Sequence, residues 1–224
     1  MRKRKNSQQP DVKAVRVMVM GQDGVGKTAL VVRYLTRRFI GEYDTTLEST
    51  HRHPLTLGND FIYIDLMDTA GENSDAKLER CLSCGDMFLI LYSIVDRTSF
   101  DEASRIARYL KWRKFPETGV LILIGTKRDL GHLREIDETE GSELAEELEC
   151  PFYELSASEY EGYTDVCDMV YTCLKKYLKS DRKTAPTNAP ATPTSTPTSS
   201  LSKMKEGLMR KTGAMRRKSV TALV

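Results

Sequence analysis

Residues Gly21-Gln22-Asp23-Gly24-Val25-Gly26-Lys27-Thr28 read G-x-x-x-x-G-K-[ST]. They stand between a β-branched apolar run (Val15, Val17, Val19) and a helical pattern (Leu30, Val31, Tyr34, Leu35). Strand, glycine-rich loop and helix in that order are the setting this motif requires. Glycines at 21, 24 and 26 let successive backbone N–H groups turn inward toward an anion. The loop residues Asp23, Gly24 and Val25 and the helix start through Ala29 then present unpaired N–H groups and the positive dipole end. Lys27 is placed to reach the β- and γ-phosphates of a nucleotide, and the Thr28 hydroxyl to bind Mg²⁺.

The rest of the folded region follows the same plan. Strands are expected at Ala14–Met20, Thr50–Leu57, Phe61–Met67, Asp86–Tyr92, Val120–Gly125 and Phe152–Leu155. Leu57-Gly58-Asn59-Asp60-Phe61 reads as a hairpin turn, so its two strands are antiparallel, and Pro54 places the first of them at a sheet edge. One helix face carries Phe100, Ala103, Ile106, Ala107 and Leu110, and another carries Val166, Met169, Val170, Cys173, Leu174 and Tyr177. Alternating strands and helices predict an α/β fold of the P-loop nucleotide-binding type: a six-stranded, mostly parallel sheet with one antiparallel edge strand and helices on both faces. Ligands of such sheets sit at the carboxyl ends of the strands.

Three further motifs fall there. Asp68-Thr69-Ala70-Gly71 ends the third strand, where an acidic residue holds Mg²⁺. Thr126-Lys127-Arg128-Asp129 follows Val120–Gly125. The Asp129 carboxylate can accept two hydrogen bonds from the N1–H and exocyclic amine of guanine, whereas adenine would leave it unpaired. The Lys127 stem can pack on the base. Ser156-Ala157 follows the sixth strand and offers a backbone N–H to guanine O6.

These four motifs, in order, resemble the Ras superfamily of small GTPases over residues 11–180. The run Arg38-Phe39-Ile40-Gly41-Glu42-Tyr43-Asp44-Thr45-Thr46-Leu47-Glu48-Ser49 is similar to the first switch of that superfamily. Thr36-Arg37-Arg38-Phe39-Ile40, Leu47-Glu48-Ser49-Thr50 and Asp96-Arg97-Thr98-Ser99-Phe100 resemble the branch of the Ras-related oestrogen-regulated growth inhibitor. The resemblance implies GTP/GDP and Mg²⁺ as ligands and hydrolysis of GTP to GDP. It implies that Thr46 coordinates Mg²⁺ with Thr28 and Asp68, that Phe39 packs on guanine, and that Gly71 donates its N–H to the γ-phosphate. Effector proteins would meet segments 39–50 and 68–80, which change order when that phosphate is lost.

The departures fall mostly on hydrolysis. Asp23 stands where the family commonly has glycine, crowding the γ-phosphate and adding negative charge. Glu72 stands where glutamine is common; an ionised Glu accepts hydrogen bonds but donates none. The catalytic set expected here is Glu72, Gly71 and Lys27, with slow turnover. Thr126 replaces a common Asn, Ser158 a common Lys, and Thr45 a common Pro. A catalytically inactive relative that serves as a signalling scaffold stays open as the second reading. A nucleic-acid-binding protein is a weaker third, since no aromatic-rich basic platform accompanies the basic ends.

Charge divides the chain. The net charge of the 224 residues is +2, with +4 in residues 1–10 and +7 in residues 181–224, so the part between carries −9. The expected organisation is a basic extension (1–10), a nucleotide-binding domain (11–180), and a Thr/Pro/Ser-rich linker with a basic tail (181–224). The tail, with Leu201, Met204, Leu208, Met209 and Met215, suits an acidic membrane surface or calmodulin; plain disorder suits it equally. Arg216-Arg217-Lys218-Ser219 resembles a basophilic kinase site. Thr221–Val224 contain no cysteine, so prenylation is not expected there. No apolar run is long enough for a bilayer and no signal peptide is visible. Five cysteines, an odd number, suggest a reducing compartment. A monomer in the cytoplasm, with nuclear entry or weak attachment to the inner membrane face as variants, is the expectation. Cys81-x-x-Cys84 and Trp112 are read as packing residues.

Overall fold

Alternation in the first strand sets the two halves of the core. In β1 (Ala14–Gly21), Val15, Val17 and Val19 face one side of the sheet and Met18 and Met20 the other, all of them buried. The computed structural model describes residues 13–39, 48–69, 73–113, 119–159 and 162–184, with side chains to 180. Further elements are α1 (Lys27–Thr36), β2 (Ser49–Leu57), β3 (Asp60–Asp68), α2 (Asp75–Cys84), β4 (Met87–Ser93) and α3 (Arg97–Trp112). They continue with β5 (Val120–Thr126), a 3₁₀ turn (Arg128–Leu133), α4 (Glu138–Glu147), β6 (Phe152–Glu154) and α5 (Gly162–Thr184).

The sheet order is β2-β3-β1-β4-β5-β6, parallel throughout except for the β2–β3 hairpin. Every residue of β4 is buried, which explains its unbroken apolar run: a central parallel strand is covered on both faces. Met87, Leu89 and Leu91 join the core under α1 and α5, while Phe88, Ile90 and Tyr92 join the core under α2, α3 and α4. Gly58 and Asn59 form the hairpin turn, with Gly58 at φ 64°. Pro54 lies on β2, which pairs only with β3 among the described residues. Arg52 faces Asp65 across that pair and donates to both carboxylate oxygens at 2.7 Å. The Arg52 guanidinium holds the Asp65 carboxyl below its ordinary range.

One expectation changes. Trp112 ends α3 in solvent, 90% exposed, rather than packing. The last turn of α3 has rotated its apolar stripe past this position, so Leu110 takes the core place at 0% exposure. The acidic helix α4 carries no long apolar stripe and was not resolved by periodicity; Gly141, Leu144 and Ala145 alone face inward.

Candidate functional site

Sheet order reverses at β1, which has β3 on one side and β4 on the other, and a crevice opens at the carboxyl ends of the strands there. A cavity of about 520 Å³ occupies it, within the usual range for small-molecule sites. Its floor is the loop from Asp23 to Thr28, and Ala29 and Leu30 continue it.

Gly21 and Gly26 make the loop possible. Gly21 sits at φ 140°, and a Cβ there would stand 2.3 Å from the Leu91 carbonyl oxygen of β4. Gly26 caps α1 in the left-handed region at φ 98°. The Lys27 side chain is buried at the loop's centre. Its Nζ donates to the carbonyls of Gly21 (3.0 Å) and Gln22 (2.9 Å) and lies 3.3 Å from Asp23 Oδ1. Burial lowers the Lys27 pKa, and the Asp23 carboxylate opposes that shift.

Asp68 ends β3 with 4% exposure. Burial raises its carboxyl above the ordinary range, against a hydrogen bond from Thr28 and the charges of Lys27, His51 and Lys77. A hydroxyl and a buried carboxylate thus meet beside the lysine, oxygen donors suited to Mg²⁺. Thr69 is tied back to β1, donating its hydroxyl to the Val19 carbonyl at 2.8 Å.

The far end of the cavity is set by the turns after β5 and β6. Asp129 Oδ1 accepts from the Ser156 hydroxyl at 2.6 Å. Ser156 is fully buried, and its Oγ lies 2.9 Å from Ser158 Oγ and accepts from the Ser158 N–H. Ala157 and Ser158 line the cavity beside Lys127 and Asp129. Lys127 adopts φ 61°, and its carbonyl accepts from Leu130 N, which turns the chain toward Asp129. Thr126 Oγ1 lies 2.6 Å from the Val25 carbonyl and 2.8 Å from that of Tyr92, so this hydroxyl joins the glycine loop to β4. Phe39 lines the cavity and is 46% exposed.

The donor set fits a nucleotide. A buried ammonium ringed by carbonyls marks one end and a hydrogen-bonded carboxylate the other. Gly21, Gly24, Gly26, Lys27, Thr28, Asp68, Thr126, Asp129, Ser156 and Ala157 converge on this region. Thr46, Gly71 and Glu72 lie outside the described residues. Sequence reasoning missed the Ser156–Asp129 bond, the apolar walls Leu155 and Val166, and Asn73. The Asn73 side chain, buried, donates to the Gly21 carbonyl at 3.1 Å. Spacing along the chain carries no sign of a pairing across 52 residues.

A model of the Ras family matches residues 16–176. The chain belongs to the Ras family. It is 45% identical over 148 residues to the Ras-related and estrogen-regulated growth inhibitor of Homo sapiens and to that of Bos taurus, covering 66% of this chain and 74% of each relative. It is 36% identical over 165 residues to Ras-like protein rasB of Dictyostelium discoideum, covering 73% and 84%. As a Ras-like small GTPase, the protein is a guanine-nucleotide molecular switch. The Ras family in general binds guanine nucleotide with Mg²⁺ and meets effectors through its switch regions.

Proposed function

We propose that this Ras-family chain binds GTP tightly, selects guanine through Asp129, and hydrolyses GTP slowly. Lys27 and the backbone of residues 21–29 would hold the phosphates. Thr28, Thr46 and Asp68 would hold Mg²⁺, which supplies charge to balance the phosphate oxygens. Phe39, Lys127 and Ala157 would enclose the base. Ser156 occupies one oxygen of Asp129 and orients the carboxylate toward the base site.

The Asp23–Lys27 ion pair carries the reading on hydrolysis. Asp23 Oδ1 lies 3.3 Å from Lys27 Nζ, so the lysine that should serve the β- and γ-phosphates is shared with a carboxylate. Phosphoryl transfer depends on positioning and charge stabilisation, so a carboxylate in this place raises the barrier. Glu72 adds to it, because a carboxylate can accept from the attacking water but cannot donate to the transferring group. Single-turnover hydrolysis by the full chain should be slower than about 4 × 10⁻⁴ s⁻¹, the order of intrinsic Ras turnover. Asp23→Gly and Glu72→Gln should each accelerate it, by roughly tenfold to a hundredfold together. A wild-type rate at the Ras level would refute slow turnover.

The same ion pair favours a second reading, a catalytically silent module acting as scaffold. Denaturing the purified protein and identifying what it releases separates the two. GTP indicates a slow switch, GDP ordinary turnover, and no nucleotide a scaffold. The proposed organisation is a basic extension (1–10), a nucleotide-binding domain (11–180) and a basic tail (181–224). Segments 39–50 and 68–80 would face effectors, and the tail an acidic membrane surface or calmodulin, with the protein in the cytoplasm.

A further inference from the structure

Lys77 is a cation that the proposed chemistry leaves unused. It stands in the first turn of α2 and is only 6% exposed, an unusual burial for lysine. Its Nζ lies 3.3 Å from Glu48 Oε1. Glu48, directly before β2, has a side chain 58% exposed.

The pair joins two chain segments of different origin. Glu48 belongs to segment 39–50, and Lys77 to segment 68–80. The opposite side of the α2 entry is already fixed. Arg105 of α3 donates to the Asn73 carbonyl at 2.7 Å and to Asp75 at 3.4 Å, and Asn73 in turn donates to Gly21. The α2 entry therefore has one attachment to α3 and the glycine loop, and a second that reaches across to the other segment.

We infer that Lys77 is a positioning residue for the nucleotide site: through Glu48 it clasps the start of β2 to the first turn of α2, so that these two parts of the chain beside Asp68 move together. This rests on the nucleotide-site reading given above. Neutralising Glu48 leaves a buried ammonium with less compensation, which α2 can relieve only by shifting or admitting water. Neutralising Lys77 frees Glu48 and the chain beside it.

The sign of the effects distinguishes a clasp from a field. Glu48→Gln makes the site more positive and Lys77→Met makes it less so. A through-space effect must then move any rate in opposite directions, whereas loss of a clasp moves both alike. Release of a fluorescent GDP analogue in Mg²⁺ should be measured for the full chain, both single variants and the double variant. Each single variant should release about threefold to fivefold faster, and the double no faster than the faster single, because the two residues form one contact. Opposite directions, or a double effect equal to the product, would overturn the clasp. Wild-type protein that takes up no guanine nucleotide would sink the nucleotide reading instead. Amide hydrogen exchange then decides the clasp alone. Glu48→Gln should lower protection across Asp75–Cys84 severalfold, and unchanged protection overturns it.

Discussion

At the scale of single residues, the proposed base site depends on one carboxylate and the backbone around it. Asp129 is held by Ser156 at 2.6 Å. Truncating it leaves the base donors unpaired, and hydrogen bonds to a charged group contribute about 1.5–3 kcal/mol. Asp129→Ala should weaken GDP binding at least thirtyfold, as about 2 kcal/mol implies, while adenine nucleotides gain nothing. Gly162 is a less evident member of the site. A Cβ there would stand 1.7 Å from the Ser156 carbonyl oxygen. Gly162→Ala must therefore displace the turn that carries Ser156, and both the melting temperature and GDP affinity should fall. The cysteines behave differently. Burial pushes the Cys81 thiol up to about 11, leaving a thiolate fraction on the order of 10⁻⁴ at pH 7. Cys81 should resist iodoacetamide at neutral pH until the protein unfolds; rapid labelling in the native state would contradict its place in the core. Residues adjacent in the chain, such as Gly21 through Thr28, were legible because their spacing alone makes the loop. Ser156 with Asp129 and Asn73 with Gly21 were not, because folding brings them together across long stretches of chain.

At the scale of elements, legibility followed burial pattern. β1, β4 and β5 announce themselves by apolar residues that a doubly covered sheet demands, and α3 and α5 by a stripe of helical period. Helix α4 does not, since its contact with the core is short and its surface acidic. Polar contacts fix it instead. Glu140 accepts from the Asp137 N–H at 3.1 Å and pairs with Arg97 of α3. Arg97 first, and then that backbone N–H, pull the Glu140 carboxyl down to about 2. A depressed folded-state pKa means the stabilisation is fully present above the ordinary carboxylate range. It is lost as pH falls from that range through about 2. Denaturant unfolding across this interval should show Glu140→Gln losing less stability on acidification than the wild type. Parallel pH dependences would contradict this role. The exposed Trp112 is the instructive miss: it follows Leu110 by two residues, about 200° around the helix, which turns it away from the buried stripe.

At the scale of the whole molecule, a net charge of −9 over residues 11–180 lies between basic segments at residues 1–10 and 181–224. Residues 187–224 lie outside the described residues. Removing residues 187–224 should leave melting temperature and GDP affinity unchanged. The same truncation should abolish any sedimentation with phosphatidylserine vesicles at low salt, where basic residues contribute about 1 kcal/mol each. Binding that survives truncation would assign the membrane contact elsewhere.

The proposed guanine recognition falls to the cavity between the glycine loop and Asp129. Isothermal titration of nucleotide-stripped full-length protein with GDP and with ADP, each in Mg²⁺, tests it most directly. Saturable one-to-one uptake of GDP with no measurable uptake of ADP is the predicted result. Equal uptake of both, or uptake of neither, would contradict it.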